Sequence, residues 1–82
     1  MEEIVRDYNV TVVFKPLEGV RGMVQKKDTG YVVVLAEHLS DERRDKSLAH
    51  ELGHIVLGHL DERKHLSEKD KELEAELFAR LI

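Results

Sequence analysis

This chain contains no cysteine and no tryptophan, and only 5% of its residues are aromatic. Without cysteine it can form neither a disulfide framework nor a zinc site closed by thiolates. No apolar run reaches the roughly 18 residues that a membrane-spanning helix needs, and we expect no secretory signal. Internal repeats, low-complexity tracts and linkers are also absent. These absences lead us to expect a globular protein in the cytoplasm, with no membrane partner.

The composition that is present is typical of one small domain. The 82 residues are 41% hydrophobic and 37% charged, which suits a modest core under a charged surface. Domains near this size often need a metal or oligomerisation to supplement their packing. The formal net charge of −4 argues against non-specific binding to nucleic acid. We expect residues 1–82 to form a single domain without direct nucleic-acid contact, and its oligomeric state stays open.

The segment His50-Glu51-Leu52-Gly53-His54 carries the clearest chemical signal. It matches the HExxH pattern by which a helix holds zinc and hydrolyses amides. Histidines four apart on a helix differ by about 40° in azimuth, so both imidazoles can converge on one ion. Glu51 lies about 100° round the helix, where its carboxylate can take a proton from a water that the ion acidifies. We expect His50 and His54 to be metal ligands and Glu51 to be the catalytic base.

The surrounding segment, Ser40 to Leu60, has the period of an amphipathic helix. Ser40 is a plausible N-cap, and Asp41 and Glu42 follow in the first turn, where carboxylates favour the helix dipole. The apolar residues occupy the side opposite the two histidines; they are Leu48, Ala49, Leu52, Ile55, Val56 and Leu60. The helix is therefore expected to pack one face on a core and to present the histidines in a cleft.

A metal held by two histidines needs at least one more protein ligand. His59 is one candidate: in a continuous helix it would point into the apolar face, but a helix break at Gly58 would redirect it. A carboxylate from a later helix is the other. Ser67 to Asp70 has the signature of a capping box, and no glycine or proline interrupts the chain from there to Ile82.

Glu74 is the carboxylate that the helical pattern favours. It stands in the middle of an apolar stripe, and its neighbours in that stripe are Leu77, Phe78 and Leu81. An ionised carboxylate there is costly unless it is paired or bound to a metal. We predict Glu74 as the third zinc ligand, with pairing to lysine or arginine as the alternative. Glu72 and Glu76 point roughly 160° away and are predicted to be solvated charges.

The rest of the sequence predicts a small α+β fold. Glu2 to Tyr8 is expected to form a short helix, and β-branched residues predict three strands at Asn9 to Lys15, Gly19 to Lys27 and Gly30 to Glu37. A hairpin turn at Lys26 to Gly30 explains the tripeptide Asp-Thr-Gly without aspartic-protease chemistry. We expect a small three-stranded antiparallel or mixed sheet, packed on the motif helix and followed by a C-terminal helix.

Two stretches of the chain resemble a known family. Residues 47–59 (SLAHELGHIVLGH) and 72–79 (ELEAELFA) look like the two motifs of the ImmA/IrrE family of bacterial and phage metallopeptidases. In that family zinc is bound by both histidines of the first motif and by the glutamate before the alanine of the second. The resemblance therefore implies His50, His54 and Glu74 as metal ligands, with Glu51 as the general base. Glu76 replaces an asparagine or aspartate that is common in the family.

The resemblance also implies a function. Members of the family are commonly encoded beside helix-turn-helix repressors, which they cleave to relieve repression in mobile elements, phages or stress responses. We therefore expect a zinc metallopeptidase that hydrolyses a peptide bond in such a repressor. Two alternatives stay open: a non-catalytic zinc-bearing module that binds a repressor, and a metal-free structural protein. Two imidazoles and one carboxylate would also accept iron or manganese in place of zinc.

Several details of the mechanism are left open by the sequence. Tyr31, His59 and His65 are candidate donors to the oxyanion that develops during hydrolysis. An edge strand at Tyr31 to Leu35 is expected to hold the substrate backbone by strand addition. Basic residues near the motif helix are predicted to be surface charges, with repressor docking as the alternative; they are Arg43, Arg44, Lys46, Arg63 and Lys64.

Overall fold

The computed structural model describes residues 1–61 and 66–82. The described residues form three helices and three strands, in the order α1 (Glu2–Asp7), β1 (Val10–Lys15), β2 (Gly22–Lys27), β3 (Gly30–Ala36), α2 (Asp41–Val56) and α3 (Glu68–Leu81). The predicted α+β class, the short N-terminal helix and the final helix are confirmed. Each strand lies within the range that its β-branched or apolar residues predicted.

The sheet is mixed, and β3 is its central strand. Its order is β1-β3-β2, with β3 parallel to β1 and antiparallel to β2. Lys27 pairs with Gly30 across a two-residue loop, so the predicted hairpin turn is confirmed. The prediction that Tyr31 to Leu35 is an edge strand is wrong, because both sides of β3 are already paired. Within the described residues, the strand with an open edge near α2 is β2.

The core lies between one face of the sheet and α2. Its fully buried members come from β3 and from the apolar face of α2, as the helical period predicted; they include Val33, Leu35 and Leu52. Ile55 completes this layer on the helix, and Ile4 and Val5 of α1 pack against it. Because the apolar side of α2 packs on the sheet, His50 and His54 lie on the opposite side of the helix.

Both ends of α2 are fixed by local hydrogen bonds. At the start, the backbone N–H of Arg43 donates to the Ser40 hydroxyl at 3.3 Å, which confirms the predicted N-cap. The helix ends at Val56 rather than continuing to Leu60, so that prediction is wrong. Gly58 adopts a left-handed φ of +72°, which glycine reaches without steric cost and which ends the helix.

α3 begins at the predicted cap and packs across α2 through small residues. The N–H of Asp70 donates to the Ser67 hydroxyl at 3.1 Å. Ala75 is completely buried, and a Cβ added to Gly53 would stand 3.1 Å from both the Cα and the carbonyl oxygen of Ala75. The two backbones can therefore approach this closely only because position 53 has no side chain. This contact sets the distance between the HExxH residues and α3.

The face that α3 turns to α2 differs from the predicted one. The stripe around Glu74 was expected to be buried, yet Leu77 is 50% exposed and Leu81 is 83% exposed. The buried position is Ala75, with Glu72 and Glu76 beside it on the side of α2. Of the predicted stripe, Phe78 is half-buried beside Gly53, whereas the two leucines contribute little to the contact.

Within the described part of the chain, none of the helices combines the length and apolar character that crossing a membrane would require.

The contact between Gly53 and Ala75 gives a test of the packing between helices. In an isolated helix, Gly53→Ala would gain about 1 kcal/mol of helix propensity. Here the added Cβ meets backbone atoms of α3, which move only with the whole helix, and overpacking costs about 1–3 kcal/mol. We expect urea denaturation to show a net loss of about 1 kcal/mol in the free energy of unfolding.

Asp45→Ala is the control for this test, because Asp45 is an exposed residue inside the same helix, where alanine should stabilise the protein slightly. A Gly53→Ala protein as stable as its parent, or more stable, would show that the helices have room at this contact.

Candidate metal centre

The two histidines of the motif face each other on the side of α2 that is turned away from the sheet. The Nε2 atoms of His50 and His54 lie 3.2 Å apart, and their rings meet edge to face with centroids 4.9 Å apart. Both side chains are largely shielded from solvent, with 17% and 11% exposure. The four-residue spacing thus brings two imidazole nitrogens to one point, as the sequence predicted.

Glu72 of α3 completes this group. One of its carboxylate oxygens, Oε2, lies 2.8 Å from Nε2 of His50, and the other, Oε1, lies 3.1 Å from Nε2 of His54. Among the described residues, these three side chains are the His, Asp or Glu group whose ligand atoms come close enough to share a metal ion. The prediction that Glu72 is an ordinary solvated charge is therefore wrong, although its side chain stays 57% exposed.

The three donor atoms suit a small divalent cation. Zinc ligands in a tetrahedral site, at about 2.0–2.2 Å from the ion, stand roughly 3.3–3.5 Å apart. The two histidine Nε2 atoms lie 3.2 Å apart, and the nearest carboxylate oxygen of Glu72 lies 2.8 Å from that of His50 and 3.1 Å from that of His54, so these separations are only slightly shorter. Two imidazoles and one carboxylate form a ligand set found in catalytic zinc sites, which keep a further position for water. The residues present therefore fit a catalytic zinc ion.

Glu76 contacts the second ring nitrogen of His50, the one that Glu72 does not contact. Its Oε1 lies 2.6 Å from Nδ1 of His50, the ring nitrogen that faces away from the proposed ion. A histidine that binds a metal through Nε2 carries its proton on Nδ1, and a carboxylate at that position fixes the ring and its tautomer. Glu76 was predicted to be a solvated charge, and its contact with His50 shows that this prediction is also wrong.

Glu74 lies against a different histidine. Its Oε1 is 2.7 Å from Nε2 of His59, and Nδ1 of His59 is 2.8 Å from Nδ1 of His54. The structure therefore joins Glu74 to the predicted ligand pair through His59, whereas Glu72 makes the direct contacts. His59 is not part of the group formed by His50, His54 and Glu72, so the alternative in which His59 is itself a ligand finds no support.

The three ionisable residues of the motif have shifted pKa values. Burial lowers the pKa of His50, but the hydrogen bonds of Glu72 and Glu76 and nearby negative charge outweigh it, so the net pKa lies above 6.5. Burial also lowers the pKa of His54, and the neighbouring histidines lower it further. The pKa of Glu51 is raised, chiefly by burial. A raised pKa suits a carboxylate that accepts and returns a proton near neutral pH.

Glu51 borders two cavities that meet at the metal centre. One, of about 460 Å³, is lined by residues of β2 together with His54 and Glu72. The other, of about 330 Å³, is lined by His50, Glu72 and Glu76 among others. Glu51 and Glu72 belong to both walls, so Glu51 faces the space that a substrate would occupy. Lys71, which the sequence did not single out, adds a positive charge to the wall of the first cavity.

The remaining candidates fall in three groups. Tyr31 lines neither of these cavities and packs on Tyr8, with ring centroids 6.4 Å apart, so its geometry does not favour an oxyanion role. His65, Arg63 and Lys64 lie outside the described residues. Two basic residues of α2 make surface contacts: Arg44 stacks over Phe14 and pairs with Asp41, and Lys46, which also lines the second cavity, pairs with Glu42.

The metal centre gives a test that separates the two candidate ligands. We expect Glu72→Gln to weaken zinc binding by more than the roughly 10- to 100-fold loss typical of residues that only support a ligand, because it removes a charged donor. Competition with a chromophoric chelator measures the affinity. Glu42→Gln makes the same charge change on the exposed side of α2 and should leave affinity unchanged. A larger loss in Glu74→Gln than in Glu72→Gln would contradict the assignment and favour Glu74.

Comparison with known proteins gave one family match. A protein-family model, Peptidase_M78, described as the IrrE N-terminal-like domain, matches residues 5–81. No curated protein and no solved structure gave a significant match. The matched region contains the whole sheet, the motif helix and all of α3. The resemblance to the ImmA/IrrE family is thus confirmed, and the chain belongs to the Peptidase_M78 family as an IrrE N-terminal-like, metallopeptidase-type domain.

Proposed function

We propose that this protein is a zinc-dependent peptidase that hydrolyses a peptide bond in a protein substrate. The observation that carries the proposal is the convergence of His50, His54 and Glu72 beside a buried Glu51 that borders two cavities. The three convergent donors supply a metal site, and Glu51 supplies the general base that amide hydrolysis needs. The family match supports the same class of reaction.

The residues of the chain divide the work of hydrolysis. When bound at the three donors, zinc would polarise the scissile carbonyl and lower the pKa of a water molecule at the site. Glu51 accepts the proton of that water and later returns it to the leaving amine. Its raised pKa makes Glu51 a stronger base toward that water than an ordinary glutamate would be. His50, His54 and Glu72 would hold the ion, and Glu51, which is not among these donors, would transfer the proton.

As the substrate we propose a helix-turn-helix repressor encoded beside the protein, in keeping with the resemblance that the two sequence motifs carry. Cleavage there would relieve repression in a phage, a mobile element or a stress response. The proposal includes a cytoplasmic location, since repressor and peptidase must meet. A non-catalytic zinc module that only binds the repressor is the alternative, and the experiment on Glu51 described below separates the two.

The open edge of β2 offers a place for the substrate backbone. Arg21 accepts a hydrogen bond from the N–H of Ala36 at 2.8 Å, and bonding directions alternate along an antiparallel pair. The backbone groups of Gly22 and Val24 consequently point away from β3, toward the open edge. Both residues line the cavity that contains Glu51 and His54. A substrate strand added at this edge would pass the metal centre. We therefore place the proposed strand addition at β2 rather than at β3.

Removal of the base tests the enzymatic function. We expect Glu51→Gln to reduce cleavage of the neighbouring repressor by about 10²- to 10⁴-fold while the protein still binds one equivalent of zinc, because the amide cannot accept the proton. Product is measured by gel and mass spectrometry, and zinc by metal analysis. Glu42→Gln on the exposed side of the same helix is the control and should cleave normally. A stable complex without product from either parent or variant would support the binding module instead.

Substitution on β2 tests the route of the substrate. Val24→Pro removes one outward N–H, and proline is tolerated on edge strands. Loss of one backbone hydrogen bond to substrate is worth about 0.5–1.5 kcal/mol, so kcat/KM should fall by about 3- to 10-fold with zinc binding unchanged. Val24→Thr keeps the N–H and the branched side chain and should behave as the parent does. Equal kcat/KM for the proline and threonine variants would exclude pairing at this position.

A further inference from the structure

A chain of hydrogen bonds leads from the metal centre to the surface of α3. Nδ1 of His54 lies 2.8 Å from Nδ1 of His59, and Nε2 of His59 lies 2.7 Å from Oε1 of Glu74. The side chain of His59 is only 1% exposed, whereas that of Glu74 is 42% exposed. One end of this series of hydrogen bonds is thus His54, a predicted metal ligand, and the other end is the carboxylate of Glu74, which solvent can reach.

The ending of α2 builds this arrangement. The N–H of Gly58 donates to the carbonyl of Ile55 at 3.1 Å, and the N–H of His59 donates to the carbonyl of His54 at 2.9 Å. This pair of bonds around a left-handed glycine is the Schellman motif. It folds the backbone of His59 back onto the residue whose ring it contacts. Without the turn at Gly58, a continuing helix would carry the imidazole of His59 to the opposite side.

The chemistry of the donors allows one arrangement of protons when His54 binds a metal. Its Nε2 must then offer a lone pair to the ion, so the proton of the neutral ring is on Nδ1. That N–H donates to Nδ1 of His59, which must be the acceptor. The remaining proton of His59 is therefore on Nε2, where it donates to the carboxylate of Glu74. In this arrangement each contact between His54, His59 and Glu74 pairs one donor with one acceptor.

The opposite arrangement is unfavourable for two reasons. A proton on Nδ1 of His59 would turn Nδ1 of His54 into an acceptor, which would place the other proton of His54 on Nε2, in the position of the ion. It would also set the lone pair of His59 Nε2 against the carboxylate of Glu74 at 2.7 Å. A buried polar pair without a proton between its atoms is costly. The negative charge of Glu74 therefore selects the metal-binding tautomer of His54.

We propose that His59 and Glu74 are positioning residues of the metal centre, a relay that fixes the ring orientation and tautomer of His54. The inference rests on the proposed function, because it presupposes that His54 is a ligand. It gives Glu74 a role in the site other than binding the metal. It also adds His59, which lies outside the HExxH motif, to the residues that the site needs. Glu76 does the same for His50 directly, without an intervening ring.

The first part of the experiment measures zinc affinity by chelator competition in the full chain. Glu74→Gln keeps the size of the side chain but can donate as well as accept, so it no longer selects one tautomer; we expect affinity to fall about tenfold. His59→Phe removes the acceptor for His54, and we expect a loss of up to about 100-fold. Glu42→Gln should bind zinc as the parent does. Glu74 is partly exposed, so its variant tests the relay even where His59→Phe unfolds.

The second part observes the protons themselves. Long-range ¹H–¹⁵N correlation spectra at about pH 8, above the ordinary histidine pKa of about 6.5, distinguish Nδ1–H from Nε2–H rings. We expect His59 to carry its proton on Nε2 in zinc-free and zinc-loaded protein alike, and His54 to carry its proton on Nδ1 in the zinc-loaded protein, where the ion takes the place of a proton on the Nε2 that faces Glu72. In Glu74→Gln the preference of His59 should weaken to a mixture. A stabilising role in packing alone would leave these signals unchanged.

The outcomes separate the relay from the metal centre. If the parent protein binds no zinc, the proposed function fails, and the zinc-free spectra still decide whether the relay exists. If the parent binds zinc and both variants bind it equally well, or if His59 carries its proton on Nδ1, the relay is overturned. Weakened zinc binding together with a mixed tautomer of His59 in Glu74→Gln supports it.

Discussion

The metal centre depends on the close approach of α2 and α3 at Gly53 and Ala75. A metal can be shared only by donors a few ångströms apart, so the helix that brings the third ligand must lie almost against the helix that brings the first two. The missing side chain at Gly53 allows this, because a Cβ there would press on the backbone of Ala75. Glu72 and Glu76 lie on either side of that contact in sequence. The glycine of HELGH is thus a structural requirement of the candidate metal centre.

Features that depend on local sequence could be predicted. The HExxH spacing, the serine caps at Ser40 and Ser67 and the apolar face of α2 each follow from interactions within a few turns of one helix, and the structure reproduces them. The strands followed from β-branched runs in the same way. The class of fold, the pair of histidines and the family resemblance were accessible on this basis alone.

Features that depend on contact between distant elements were not predicted. The third metal ligand was predicted at Glu74, on the apolar stripe of α3, on the assumption that large residues face the core. The contact instead centres on Ala75, and the flanking carboxylates of Glu72 and Glu76 hydrogen-bond to the imidazole of His50 on α2. The central position of β3 likewise depends on which strands pair. One sequence signal could have indicated which face of α3 contacts α2. Glu72 and Glu76 are four residues apart, as are His50 and His54, so each pair lies on one face of its helix.

The acidic residues of α3 also explain how the centre tolerates its own charge. Glu72 and Glu76 raise the pKa of His50 against the opposing effect of burial, so they stabilise positive charge at that ring. A proton on His50 and a metal ion compete for the same nitrogen, and both are favoured by the same carboxylates. Metal binding must therefore displace a proton whenever the pH lies below this raised pKa. The packing of α3 on α2 is consequently compatible with a proton on His50 or with a metal ion. Because the metal must displace this proton, metal affinity rises with pH up to the raised pKa of His50.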